Sequence, residues 1–420
     1  MMPKGWSHNR LDSVCSKITD GAHHSPKSVD IGYPMYSVKD MSYSGFYENT
    51  ARLIDEVDYL SLVNQNCKPL INDILIAKDG SILKHCFVVK ENVEGVILSS
   101  IALLRPKLEK IYPEYIAQYF SQEWVKSFVV RALTSGSGVP RIILKDFKSI
   151  KIPLPPLPEQ QKIAKILSTW DKAISTTECL IDNSTQQKKA LMQQLLTGKK
   201  RLLDESGERF KDEWEQVSLE HHMESFTNGY AFSASQYKLE GIPIITMGNI
   251  GLDGKFNERT HKQNFWQSDS SLDKFLVNKD DLLIAMTDVT PDKNLIGRMT
   301  IVTAEKSFYL NQRVGLIRLK PSLDRHFLRC LSNSTDWRKY SVAVSASGVQ
   351  ANMSTKDIKK GKIKLPTIFE QRKVATVLTN ADKEIELLKQ QLADLQQEKK
   401  ALMQVLLTGK KRVVVDREVV

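Results

Sequence analysis

The 420-residue sequence predicts an α+β fold. Two similar mixed α/β globular units are separated by two long antiparallel coiled-coil helices, so the chain is a pseudo-two-fold internal repeat. Three observations predict this. First, residues 188–201 read KKALMQQLLTGKKR and residues 399–412 read KKALMQVLLTGKKR, differing only at Gln194 against Val405. Second, these stretches close a longer repeat that begins at Glu159-Gln160 and again at Glu370-Gln371, with a constant offset of 211 residues (159 to 370, 188 to 399). Third, the segment before each copy repeats in outline. Internal repetition of this kind decides an architecture before any local assignment does.

Each near-identical copy reads as a helix. Ile163, Leu167, Trp170, Ile174, Leu191 and Leu195 fall on alternating steps of four and three, the a/d seam of a heptad. Val374, Leu378, Ile385, Leu392, Leu402 and Leu406 keep the same frame in the second copy. A seam this narrow suits one or two partner helices and not burial all round. These twelve side chains are the candidate helix and subunit contacts. Pro158-Glu159 suits a first turn, with the carboxylate facing the positive helix end, and Thr367 to Glu370 has capping-box spacing. Gly198 and Gly409 stand where a left-handed residue ends a helix, and a Lys-Lys-Arg run follows each.

In the globular parts, Trp6, Leu11 and Gly21 answer to Trp214, Leu219 and Gly229. Residues 73–77 (DILIA) match 281–285 (DLLIA) as short buried strands. Residues 98–101 match 310–313, and the Ser-Gly-Val of 137–139 matches that of 347–349. The proline-rich 153–158 is too short and apolar for a floppy linker and reads as stiff polyproline II. The predicted boundaries are 1–152 and 202–364 for the globular units, 153–201 and 365–412 for the helical regions, and 413–420 for a C-terminal tail. Helix one runs from the first globule to the second, so a paired helix two runs back. The seam from 163 to 195 is then roughly 48 Å long at the helical rise, a ruler between two similar modules.

Composition is that of an ordinary soluble globular protein. The net charge of +11 is spread along the chain; it permits a polyanionic partner without requiring one. Five cysteines without a C-x-x-C pair give no metal signature and fit reduced thiols in a cytoplasmic protein. No run approaches membrane-span length. Thr197-Gly198-Lys199 ends a helix where a P-loop would open one, and it lacks the full frame. Pro291-Asp292 lacks the [DE]-x-K partner of a nuclease site, and no adenine-methylation tetrapeptide or glycine-rich cofactor loop is present. The adjacent pairs His23-His24 and His221-His222 point to opposite faces of an extended chain, which argues against metal ligation. No catalytic residue and no metal ligand is predicted.

The loops do carry cationic and hydrogen-bonding side chains suited to DNA. In the first unit these are His23, His24, Lys27, Lys39, Lys78, Ser135, Ser137 and Arg141. In the second they are Tyr230, Asn249, Lys293, Asn311, Gln312, Arg313, Gln350 and Asn352. Arg reads guanine, and Asn or Gln reads adenine, by paired hydrogen bonds in the major groove. Taken singly, most polar loop residues merely face water.

Two divergent globules, each followed by a helix with a P-x-x-x-EQ opening and an ALMQ-x-LLTGKKR close, resemble the specificity (S) subunit of type I restriction-modification systems over essentially the whole chain. The resemblance implies that the globules are target-recognition domains reading a bipartite, asymmetric DNA sequence. It further implies two modification (M) subunits that carry S-adenosylmethionine, flip the target base and methylate adenine N6. Two restriction (R) subunits would bring ATP-driven translocation and Mg-dependent cleavage. The competing expectation is a coiled-coil adaptor whose globules bind proteins without DNA specificity.

Overall fold

The structure is a computed structural model, and it describes residues 3–134, 140–258, 263–345 and 351–415. The chain divides into two compact units: Met1–Glu178 with Gln390–Val420, and Cys179–Lys389. Each is built around an antiparallel four-stranded sheet. In unit 1 the strands are β1 (Cys15–Asp20), β2 (Ile74–Ala77), β3 (Cys86–Val88) and β4 (Ile101–Pro106), in the order β1-β4-β2-β3. In unit 2 they are β5 (Met223–Asn228), β6 (Leu282–Ala285), β7 (Met299–Ile301) and β8 (Val314–Leu319), in the equivalent order β5-β8-β6-β7.

The DILIA run explains the sheet. All four residues of β2 are buried, yet they serve two cores: Ile74 and Ile76 face one apolar cluster, Leu75 and Ala77 another. Leu282 and Ile284 divide from Leu283 and Ala285 in the same way in β6. A strand covered on both faces needs no polar alternation, so it reads as a continuous apolar run. A smaller sheet flanks each main one. In unit 1, Tyr33–Tyr36 pairs in parallel with Val96–Ile97; in unit 2, Ile242–Ile245 pairs in parallel with Phe308–Leu310.

The long helices are α1 (Leu157–Leu195) and α2 (Ile368–Leu406), 39 residues each. Each begins in one unit and ends in the other. In unit 1 the start of α1 packs against the end of α2: Ile163 and Leu167 share a core with Met403, Leu406 and Leu407. In unit 2 the roles exchange, and Val374 and Leu378 share a core with Leu195 and Leu196. The helices are antiparallel within each unit, since Asp171 meets Lys399 while Glu159 meets Arg412. Along the seam, Ile163, Leu167, Leu195, Val374, Leu378, Ile385 and Leu406 are buried; Trp170, Ile174, Leu191, Leu392 and Leu402 are half-buried. Full burial of one such side chain contributes about 1.5–3 kcal/mol.

The seam carries polar rungs at repeat-equivalent places. Lys188 Nζ donates to Asp382 Oδ1, and Lys399 Nζ to Asp171 Oδ1, both at 2.5 Å. Charged partners inside an apolar seam penalise register slips, because a slip strands each of them.

The helix ends differ from the sequence reading in one respect. Gly198 and Gly409 do adopt the left-handed conformation, both with φ of 71°. The carboxylates of Glu159 and Glu370 do lie in the first turn of their helices, but among the described residues Thr367 and Glu370 form no capping box, and both carboxylates are held by partners distant in sequence. Glu159 accepts from Arg412 and from Trp6 Nε1, and Glu370 from Arg201 and Trp214 Nε1. The neighbouring glutamines are structural too. Gln160 donates to the carbonyls of Lys110 and Pro155 and accepts from Tyr112 N; Gln371 donates to those of Ser322 and Pro366 and accepts from Asp324 N. The repeated Glu-Gln dipeptide therefore locks each helix start to its globule and to the end of the other helix.

Candidate nucleic-acid interface

In each unit, the loops after the first and second strands and the loop before the fourth converge at one edge of the main sheet. The backbone pattern is the same in both. Ala22 N donates to Ile97 O and Tyr230 N to Leu310 O; Ser99 N donates to Ala22 O and Gln312 N to Tyr230 O. Lys78 N donates to Ser100 O and Met286 N to Arg313 O. These bonds correct the sequence alignment by one residue: Ile97, and not Leu98, is the partner of Leu310. Ser99-Ser100 therefore corresponds to Gln312-Arg313. Glycine is required at the turn that brings the first loop in. A Cβ on Gly21 would lie 1.9 Å from Ile97 O, and one on Gly229 would lie 2.1 Å from Asn311 O.

In unit 1 this edge holds a chain of alternating charges, Asp20, Lys78, Asp79 and Arg141, with the His23 ring at its end. His23 Nε2 lies 3.1 Å from Asp20, and Asp20 lies 3.4 Å from Lys78 Nζ. Lys78 Nζ lies 3.2 Å from Asp79, and Asp79 lies 3.3 Å from Arg141 Nε. The middle of the chain is buried and its two ends are exposed, His23 by 77% and Arg141 by 61% of the side chain. Lys78 is thus corrected as a DNA-reading candidate. Its ammonium is buried and neutralised by two carboxylates, so it orients neighbours instead of meeting a base.

In unit 2 the positions equivalent to this chain of charges, Asn228, Met286, Thr287 and Asn352, carry no charge. Thr287 Oγ1 donates to Asn352 Oδ1 at 3.0 Å, and Thr355 Oγ1 donates to Asn228 Oδ1 at 3.1 Å. Tyr230 is partly exposed and sits against Phe232 and Phe275. It forms a bridge with Asn311, whose neighbours Gln312 and Arg313 are exposed.

Asn249 is the second correction. It is buried; its Oδ1 accepts from Thr246 N and Oγ1, and its Nδ2 donates to Asn257 O. The carboxamide closes a capping box, as the Asp40 carboxylate does for Ser37 in unit 1. Lys293 is half-buried and donates to Ser345 Oγ at 3.2 Å. His24, Lys27 and Lys39 are exposed. The structure brings together His23, Lys78 and Arg141 in one unit, and Tyr230, Asn311, Gln312 and Arg313 in the other. Ser135, Ser137 and Gln350 lie outside the described residues.

Sequence reasoning passed over the residues that hold these side chains: Asp20, Asp79, Asn228 and Thr287. A signal was present. Asp20-Gly21, Asn228-Gly229 and Lys78-Asp79-Gly80 each place a short polar side chain before a tight turn at the end of an apolar strand.

Burial pushes the Cys15 and Cys86 thiols up to about 12, and it raises Cys67 and Cys330 as well. Among the described residues no three His, Cys, Asp or Glu side chains are grouped to hold a metal, and no helix is long and apolar enough to cross a membrane.

Comparison with known proteins agrees with this architecture. The model of the type I restriction modification DNA specificity domain matches twice, over residues 3–183 and 211–397. The type I restriction enzyme MjaVIII specificity subunit of Methanocaldococcus jannaschii is 30% identical over 393 residues, covering 89% of this chain and 88% of the relative. The putative MjaX specificity subunit of the same organism is 26% identical over 438 residues, covering 98% and 95%. The crystal structure of a type I restriction-modification S subunit from M. genitalium has the same fold, with a TM-score of 0.59 at 17% identity, over 97% of this chain and 99% of that one.

Proposed function

The chain belongs to the type I restriction-modification DNA specificity family, and from that premise we propose how this member does its work. As a specificity subunit it carries two recognition domains and acts within a complex with DNA and the other subunits of its system. Our reading is that recognition is its whole contribution. Lysine and arginine contacts to phosphates position each unit, and the loop side chains at the sheet edge read a few base pairs. The target is bipartite, with an unread gap set by the two helices. It is asymmetric because the edges differ: where unit 1 has a chain of charges, the equivalent positions of unit 2 have hydroxyls and carboxamides. That difference, on one shared backbone pattern, carries the reading.

Two M subunits dock on the helical framework and hold S-adenosylmethionine; two R subunits supply ATP-driven movement and Mg-dependent cleavage. Base flipping and methyl transfer belong to the M subunits. This chain itself binds no cofactor, and it works in the cytoplasm. The test is an exchange of residues 1–150 for the same segment of another family member, followed by sequencing of methylated sites. One half of the target changes and the other stays. A change in both halves would refute separate reading by the two units.

A further inference from the structure

Resting on that reading, we propose that one equivalent backbone position in each unit fixes one base of each half-site. Arg141 selects a guanine for unit 1, and Asn352 selects an adenine for unit 2. The equivalence comes from the backbone. Asp79 bridges Arg141 as Thr287 bridges Asn352. The next residues repeat the pattern, with Ile142 N donating to Lys78 O at 3.1 Å and Met353 N to Met286 O at 2.9 Å. The same point of the same fold therefore presents a guanidinium in one copy and a carboxamide in the other.

The surroundings suit each group to its base. Asp79 is 12% exposed and takes Arg141 from the Nε side at 3.3 Å. No other described residue pairs with Arg141, whose side chain is 61% exposed. Held at Nε, a guanidinium turns its two terminal nitrogens outward as a fork, the geometry that meets guanine O6 and N7. Lys78 is the positioning residue behind it, 5% exposed and bonded to Asp79 at 3.2 Å. Without that cation, Asp79 would lose its buried countercharge and its fixed orientation. In unit 2 the backing residue is the neutral Thr287, which donates to Asn352 Oδ1 at 3.0 Å. A carboxamide oxygen has a second lone pair for adenine N6, and the amide nitrogen carries two hydrogens, so that one can meet N7 while the other stays bonded within the protein. The neutral Met286 stands where unit 1 has Lys78, so the absence of a carboxylate goes with the absence of the cation.

The experiment uses the complete methyltransferase complex in a host without other adenine methylation, with methylated sites sequenced. Wild type yields a bipartite sequence with a guanine in one half and an unmethylated-strand or methylated-strand adenine contact in the other. With Arg141→Asn, preference for that guanine falls about ten- to a hundredfold, and the other half is unchanged. Arg141→Lys retains part of the preference. Asn352→Arg alters one position of the opposite half only. Lys78→Met weakens selection at the Arg141 position without touching any other, a base-preference readout that a general loss of stability does not produce.

Melting curves of each variant confirm folding. Equal weakening at all sequences with Arg141→Asn would make Arg141 a phosphate contact and overturn the proposal, as would unchanged preferences at every position. Wild-type complex that methylates without sequence preference would instead overturn the functional reading itself.

Discussion

Arg201 and Glu370 lie 169 residues apart and are joined by two parallel hydrogen bonds of 2.7 Å, Nε to Oε1 and NH2 to Oε2. Glu370 is 1% exposed and also accepts from Trp214. Arg412 and Glu159 form the same fork in the other unit at 2.6 Å. The last residue of each TGKKR run thus closes on the first carboxylate of the other helix.

Removing Arg201 leaves a buried, uncompensated carboxylate. Arg201→Ala should cost about 3–5 kcal/mol, lowering the melting temperature by on the order of 10 °C. Arg412→Ala should cost less, because Arg412 is 43% exposed where Arg201 is 20% exposed and solvent partly screens the pair. Thermal denaturation followed by circular dichroism checks the order; equal melting of wild type and Arg201→Ala would contradict the role given to the fork.

Leu191 packs on the core of unit 2 and Leu402 on that of unit 1. A charge at either place should destabilise its own unit by roughly 2 kcal/mol or more. Limited proteolysis should show earlier cleavage within 202–364 for Leu191→Asp and within 1–152 for Leu402→Asp. Resistance equal to wild type in both variants would remove these leucines from the packed seam.

His85 sits edge-on to the Tyr43 ring at 5.4 Å, with Nδ1 buried and no hydrogen-bond partner among the described residues. Burial, with Lys84 and Lys126 adding to it, holds its pKa below the ordinary 6.5. The unfolded chain therefore takes up the proton first as pH falls. Stability contributed by neutral His85 is complete above about pH 6.5 and declines below it until the folded-state value is passed. His85→Gln should flatten this part of the pH–melting profile. A profile identical in slope between pH 7 and 5 would count against it.

Of the five cysteines, Cys179 alone is exposed. Cys15, Cys67 and Cys330 are buried and Cys86 is half-buried, and burial raises all four thiols so that they stay protonated. Native protein should react with one equivalent of a thiol reagent within minutes at pH 8, and Cys179→Ser should abolish that fast phase. Peptide mapping identifies the site.

The purified chain, without M or R subunits, should neither methylate nor cut DNA. Product formation that survives further purification and disappears with a substitution in this chain would show a catalytic site of its own.

Much of this fold is legible in the sequence because the repeat is nearly exact where packing is most demanding. The heptad frame through Ile163, Leu167, Val374 and Leu378 and the DILIA strands are written in local apolar patterns. What sequence could not supply is the partner of a polar side chain. Glu159 looks like a first-turn residue, yet its partner Arg412 is 253 residues away. Lys78 looks like a surface cation because nothing local announces that Asp20 lies beside it. Asn249 looks like an adenine reader, although a carboxamide can equally close a turn on its own backbone. The one-residue slip at 97–98 arises in a polar loop with no periodicity to fix it; only the backbone hydrogen bonds do.

The exchange of helix ends between the units also imposes an order on synthesis. Unit 2 is one continuous segment, Cys179–Lys389, and can gather all its parts once that segment has left the ribosome. Unit 1 cannot. Its core waits for Met403, Leu406 and Leu407, and its buried Glu159 waits for Arg412. The domain made first is therefore the domain finished last. Until the segment from Gln390 onward emerges, the apolar face of its half of the helix pair stays uncovered, the kind of surface that makes partly folded chains prone to aggregate.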